Sequence, residues 1–170
     1  MKKILLSIIT LSSFIFASDY KTAGVKPVDN QDYIKECASC HFAYQPGLLP
    51  QRSWKKLMGN LQNHFDTDAS LEKPDRVLLL KYLVNNASDT INAYKRSRKI
   101  DRSISKNKSP LAVTQTPYFK HEHREIAQRF IQQKEVRSLS NCMTCHTKAD
   151  KGYYGERDIN IPNYGRWDDD

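Results

Sequence analysis

Four cysteines stand in two matching arrangements, Cys37-Ala38-Ser39-Cys40-His41 and Cys142-Met143-Thr144-Cys145-His146, and none is left over. In a C-x-x-C-H order, one turn of helix carries two thiols to the two vinyl groups of one porphyrin. The residue that follows sets an imidazole under the iron. The chemistry expected is covalent attachment of two haem c groups. Cys37, Cys40, Cys142 and Cys145 would form the thioethers, with His41 and His146 as proximal iron ligands. Two complete matches in 170 residues are far beyond what average cysteine and histidine usage gives by chance.

Other cysteine chemistry fits less well. A zinc ribbon brings two C-x-x-C pairs within roughly 15–20 residues of each other, whereas Cys40 and Cys142 are roughly a hundred residues apart. A thioredoxin-like dithiol explains one pair, but not two, and not the histidine after each.

The chain has five histidines. With His41 and His146 used, His64, His121 and His123 remain for the two distal positions. The competing distal ligand is methionine. Met143 lies inside a haem motif, and Met58 falls in an apolar stripe that reads as packing. His64 lies 23 residues after His41, and His123 lies 23 before His146. Each segment can fold back on its own haem, and ligation crossed between the halves is the alternative. His121 and His123 are about 200° apart on a helix, so they cannot face one haem together. Two nitrogen ligands on each iron close the site to small molecules and favour outer-sphere electron transfer. The rival classes are a dihaem enzyme such as a peroxidase, and a haem-based sensor or gas-binding module. Each needs one open or displaceable position.

Three stretches resemble the bacterial dihaem cytochrome c family. They run from Cys37-Ala-Ser-Cys-His-Phe-Ala-Tyr-Gln-Pro-Gly-Leu-Leu-Pro-Gln-Arg-Ser-Trp54, through Thr116-Pro-Tyr-Phe-Lys-His-Glu-His-Arg-Glu-Ile126, to Ser140-Asn-Cys-Met-Thr-Cys-His-Thr-Lys-Ala-Asp-Lys-Gly152 and on to Ile159-Asn-Ile-Pro162. The resemblance implies an exported electron carrier, not an enzyme, whose two haems are each held by two histidines. It favours His123 over His121, because His123 matches the family's histidine before Arg-Glu-Ile. It also implies a membrane b-type cytochrome as donor and a small c-type cytochrome as acceptor.

The elements that must position these residues read as mainly α: a small cytochrome c-like helical fold wrapped around two haems. Residues 1–17 read as a cleaved signal peptide, with Lys2 and Lys3 before an apolar run to Phe16 and small Ala17 at its end. That places the chain in the periplasm. The rest, 18–170, reads as one dihaem domain with a haem 1 segment at 29–88, a connector at 90–115 and a haem 2 segment at 116–162. Asp29 or Asn30 is expected to cap the first helix. Pro46-Gly47-Leu48-Leu49-Pro50 breaks the chain into a loop lying on something apolar, and Ser53 is expected to cap a helix bearing Trp54, Leu57, Met58 and Leu61. Pro74 opens a helix apolar nearly all round, expected to be the most buried. Pro117 opens another that runs to about Gln133, and Ser140 is expected to cap the second haem helix. No alternating strands stand out, and the acidic end Asp168-Asp169-Asp170 reads as loose.

Hydrophobic residues make up only 39% of the chain, so its core needs a cofactor to complete it. Within the connector, Lys95, Arg96, Arg98, Lys99, Arg102, Lys106 and Lys108 stand against Asp101 alone. This is a solvated loop, a docking patch for an acidic redox protein or anionic headgroups, or a source of cations that pair with haem propionates. If it is only a loop, the Pro46–Pro50 segment is the next docking candidate. Nucleic acid is excluded for an exported protein.

Overall fold

The computed structural model describes residues 23–167. The expected signal peptide and Asp168-Asp169-Asp170 lie outside them. Asn30 caps helix α1 (Gln31–Cys37), its side-chain oxygen accepting the Tyr33 amide at 2.7 Å. The helix thus ends on the first haem-motif cysteine. Helices α2 (Gln51–Met58) and α3 (Lys73–Asn85) pack on each other. Between them and α1 lies one core, formed by Tyr33, Leu49, Trp54, Met58, Leu61, Leu79, Leu83 and Ala87.

The second half is built from short helices: α4 (Lys95–Ser103), α5 (Pro117–Glu122), α6 (Gln128–Ile131) and α7 (Cys142–Cys145). A two-residue ribbon closes it, β1 (Asn160–Ile161) antiparallel to β2 (Gly165–Arg166), with Asn160 opposite Arg166 and Ile161 opposite Gly165. Its core is smaller and holds Val25, Leu48, Ile100 and Ile104.

The Pro46–Pro50 segment joins the two cores. It is buried throughout, so it is no docking loop. Leu49 has extended backbone, and successive side chains on extended chain point apart. Leu48 therefore enters the second core and Leu49 the first. The Trp54 indole N–H donates to the Pro46 carbonyl at 2.8 Å, and the Leu49 carbonyl accepts the Ser88 amide at 2.9 Å. A strap completes the join. The Gly24 amide donates to the Gly152 carbonyl, and the Arg96 amide donates to the Gly24 carbonyl, each at 2.9 Å. Gly152 has φ +77°, and a Cβ there would fall 2.1 Å from the Val25 carbonyl oxygen. Only glycine fits that crossing.

Several sequence expectations are corrected. The connector is not a loop but holds α4, whose Ser97 and Ile100 are buried. A Cβ at Gly47 would meet the Ser97 hydroxyl at 2.6 Å, so small residues let α4 press on the Pro46–Leu48 turn. α3 is not the most buried helix. Leu79 and Leu83 are buried, but Val77 and Leu78 are 55% and 62% exposed, because only one side of the helix has protein to pack on. Ser53 does not cap α2. It lies inside the helix with its hydroxyl unpartnered, and Asp89 reaches the Gln51 amide from 38 residues away, at 2.9 Å. Asn141, not Ser140, precedes α7, and the Ser140 hydroxyl bonds that of Ser138. α5 stops at Glu122 rather than near Gln133. The Phe119 carbonyl takes both the His123 amide and the His123 ring, which ends the helix. Beyond Gly152, Ile161 and Asp158 are buried, and the acidic end expected to be loose lies outside the described residues.

Two candidate haem centres

At the first centre, α1 carries Cys37 to the edge of the first core, and the chain then turns so that the His41 and His64 rings face each other at 6.2 Å between centroids. His64 is held by a tight turn in which its backbone pairs with Thr67 in both directions, at 2.8 and 3.1 Å. Phe65 and Asp66 inside that turn have φ +51° and +64°. A bulky residue in the left-handed region is strained, and here the strain accompanies the aiming of a site histidine.

At the second centre α5 ends on His123 and α7 leads into His146, and these two rings are 6.0 Å apart. They face a partly open cavity with Cys142 and Cys145 in its wall. Phe119, Ile131, Val136 and Ile161 give it an apolar lining, and Arg96 and Glu122 add charge.

The geometry fits an iron between each pair of rings. Two metal–imidazole bonds of about 2 Å plus two ring radii of about 1 Å sum to about 6 Å. The tautomers fit as well. The His41 Nδ1 lies 2.8 Å from the Phe42 carbonyl, and the His123 Nδ1 lies 2.9 Å from the Phe119 carbonyl. A carbonyl only accepts, so each Nδ1 carries the proton and each Nε2 keeps its lone pair for a metal. The His146 Nδ1 is buried with no hydrogen-bond partner. Burial, then His123 and Arg96, lower His146 to a pKa of about 4. Burial also lowers His64 and His123, so these three imidazoles are neutral near pH 7.

His64 thus faces the histidine of the first motif and His123 that of the second, so the rings pair within each half and not across the halves. His121 is exposed and stacks on no other histidine. Its ring lies against the Arg124 guanidinium at 3.0 Å. Met58 is buried in the first core. Among the described residues, no three His, Cys, Asp or Glu side chains cluster to hold a bare metal ion. Opposed histidine pairs instead suit a metal whose remaining ligands come from a macrocycle. Burial pushes the Cys37 and Cys142 thiols up to about 11. That is opposite to the lowered value a reactive dithiol needs.

Four residues at these centres are absent from the sequence-based site. The Tyr44 ring lies 5.0 Å from His41, and its hydroxyl donates to the Ser140 carbonyl at 2.6 Å, two residues before Cys142. It touches the surroundings of both centres. The Tyr154 ring lies 5.3 Å from His146, and its hydroxyl donates to the buried Gln45 side chain, which in turn donates to the Ala149 carbonyl. Arg96 donates to the Tyr118 hydroxyl and the Tyr154 carbonyl, both at 2.9 Å, with Glu122 at 3.5 Å. Tyr44 and Gln45 stand three and four residues after His41, close enough to have been suspected. Arg96 stands among seven connector cations and only the fold singles it out, while nothing local marks Tyr154.

A family model described as dihaem cytochrome c matches residues 33–154. The chain is similar to a diheme cytochrome c from Rhodobacter sphaeroides. The two share 38% identity, cover 76% of this chain and 100% of the other, and superpose with a TM-score of 0.68. It is also similar to a diheme cytochrome type c from Shewanella baltica OS155, at 34% identity, covering 82% and 98%, with a TM-score of 0.67. No curated protein matches it.

Proposed function

Because the chain belongs to the dihaem cytochrome c family and carries two c-type haems, we propose that it is an exported electron carrier rather than an enzyme, working in the periplasm. Its proposed donor is a membrane b-type cytochrome and its acceptor a small c-type cytochrome. Each haem supplies a one-electron ferric/ferrous couple.

In this reading Cys37 and Cys40 anchor the first haem, with His41 and His64 on its iron. Cys142 and Cys145 anchor the second, with His146 and His123 on its iron. The observation that supports it is the pair of facing rings beside each cysteine pair, at 6.2 and 6.0 Å. A metal so held has no vacant position for oxygen or peroxide, which leaves outer-sphere transfer. The Nδ1–H bonds of His41 and His123 to backbone carbonyls fix ring orientation through both oxidation states, so little rearranges when an electron arrives. Among the described residues no helix is long and apolar enough to cross a membrane.

The test is electron paramagnetic resonance of the oxidised protein, with carbon monoxide added to the reduced protein. Both irons should be low-spin, and neither should bind the gas. A high-spin iron or a carbon monoxide adduct would mean an open position and an enzyme or sensor.

A further inference from the structure

The residue order of α4 gives it two unlike sides. Ser97 and Ile100 are buried, and Arg96 and Ile100 line the cavity of the second centre. At 100° per residue, Lys95, Arg98, Lys99 and Arg102 share one arc of about 100° on the other side. All four are exposed, and among the described residues none pairs with a carboxylate. Arg98 donates to the Asn92 carbonyl at 2.9 Å, and the Lys99 ammonium lies 5.6 Å over the Tyr118 ring, so two of these charges are held in place. Tyr118 itself lines the cavity. A single helix, about 10–12 Å across with its side chains, therefore separates a row of four cations from the second haem centre.

We propose that an acidic face of a redox protein docks on this row and exchanges electrons with the haem held by His123 and His146. The proposal rests on the electron-carrier reading above. Four unpaired cations on one helix face attract a carboxylate-rich surface and repel a basic one. A lipid surface fits less well. Helices that lie on membranes insert large apolar side chains beside their cations, and none of the exposed large apolar residues belongs to α4. The transfer moves one electron and no atoms: the partner's centre is oxidised by one electron, and one iron passes from ferric to ferrous.

The test compares the haem-loaded protein with two quadruple variants, in which Lys95, Arg98, Lys99 and Arg102 are all changed to Glu or all to Gln. Two reductants are used. Flavodoxin hydroquinone is an acidic flavoprotein, and it becomes the neutral semiquinone on losing one electron. Lumiflavin semiquinone is small and uncharged. With flavodoxin at low salt, the Gln protein should be reduced about tenfold more slowly than wild type and the Glu protein more slowly still. The wild-type rate should fall as salt rises past a Debye length of about 10 Å. Lumiflavin should reduce all three alike, and both midpoint potentials should be nearly unchanged, because these four charges face solvent and are screened, unlike the half-buried Arg96. Freeze-quench resonance, with the first haem's signal assigned from the His64→Ala protein, should find the second haem reduced first. Equal flavodoxin rates in all three proteins, with normal lumiflavin reduction, would overturn the docking surface and leave the carrier reading intact. Equal rates together with row-dependent sedimentation on phosphatidylglycerol vesicles would assign the row to headgroups instead. Irons that bind carbon monoxide would overturn both readings.

Discussion

A histidine becomes an iron ligand when its ring is aimed and its second nitrogen is tied. His64 and His123 meet the first condition through a strained turn and a helix end, and His123 meets the second through the Phe119 carbonyl. His64→Ala and His123→Ala should each convert one haem to a high-spin or water-ligated form, read in the visible and resonance spectra. His121→Ala should leave both spectra unchanged, since its ring meets only the Arg124 side chain. A normal spectrum for His123→Ala would remove that residue from the site. Arg96 acts on the same centre at longer range. Reducing an iron removes one positive charge, so a nearby guanidinium favours the ferrous state. Arg96→Gln also leaves Glu122 without its cation. That variant should lower the second haem's midpoint by roughly threefold to tenfold in its equilibrium, about 30–60 mV for a one-electron couple. Arg96→Lys should restore most of the shift in a spectroelectrochemical titration. A structural role alone would disturb the two variants equally.

Among the elements, α3 shows how apolar content and burial part company. Its residues Val77, Leu78, Leu79, Leu80 and Leu83 are alike in type, but only the side turned to α2 is covered. Leu79→Ala should cost about 2–5 kcal/mol, as buried leucine truncations do. Leu78→Ala, at 62% exposure, should stay within about 0.5 kcal/mol of wild type. Urea denaturation of the haem-loaded protein checks both, and equal losses would mean that α3 is covered on two sides. α4 is the opposite case. Its charge count reads as a solvated segment, but Ser97 and Ile100, with Ile104 just past its end, are enough to seat it on the Pro46–Leu48 turn and the second core.

For the whole molecule, the two protein cores are small and meet through one buried segment and a strap, and the wall of a cavity stands where more core would otherwise lie. Attachment of both haems is then part of folding rather than a step after it. Intact mass should equal the processed polypeptide plus two haems. Cys40→Ala should yield a degraded product or one without a cooperative unfolding transition. A compact Cys40→Ala protein that unfolds cooperatively without its first haem would show that the polypeptide packs unaided.

Chemistry written in adjacent residues was legible from the sequence. Two C-x-x-C-H runs specify covalent haem because the bonding groups lie on one helical turn, and Asn30 and Pro74 start helices through contacts within that turn. The mainly helical class was legible for the same reason, since α1, α2, α3 and α5 announce themselves through local caps, prolines and apolar spacing, whereas α4 and α6 have no such signal. What only the tertiary structure decided depends on groups far apart in the chain. It set the His41 ring against His64 and the His123 ring against His146, brought Asp89 to the start of α2 and carried Arg96 into the second centre. It also put Leu48 and Leu49 into different cores. None of these has a local periodicity, because each arises when burial and backbone hydrogen bonding fold one segment against another.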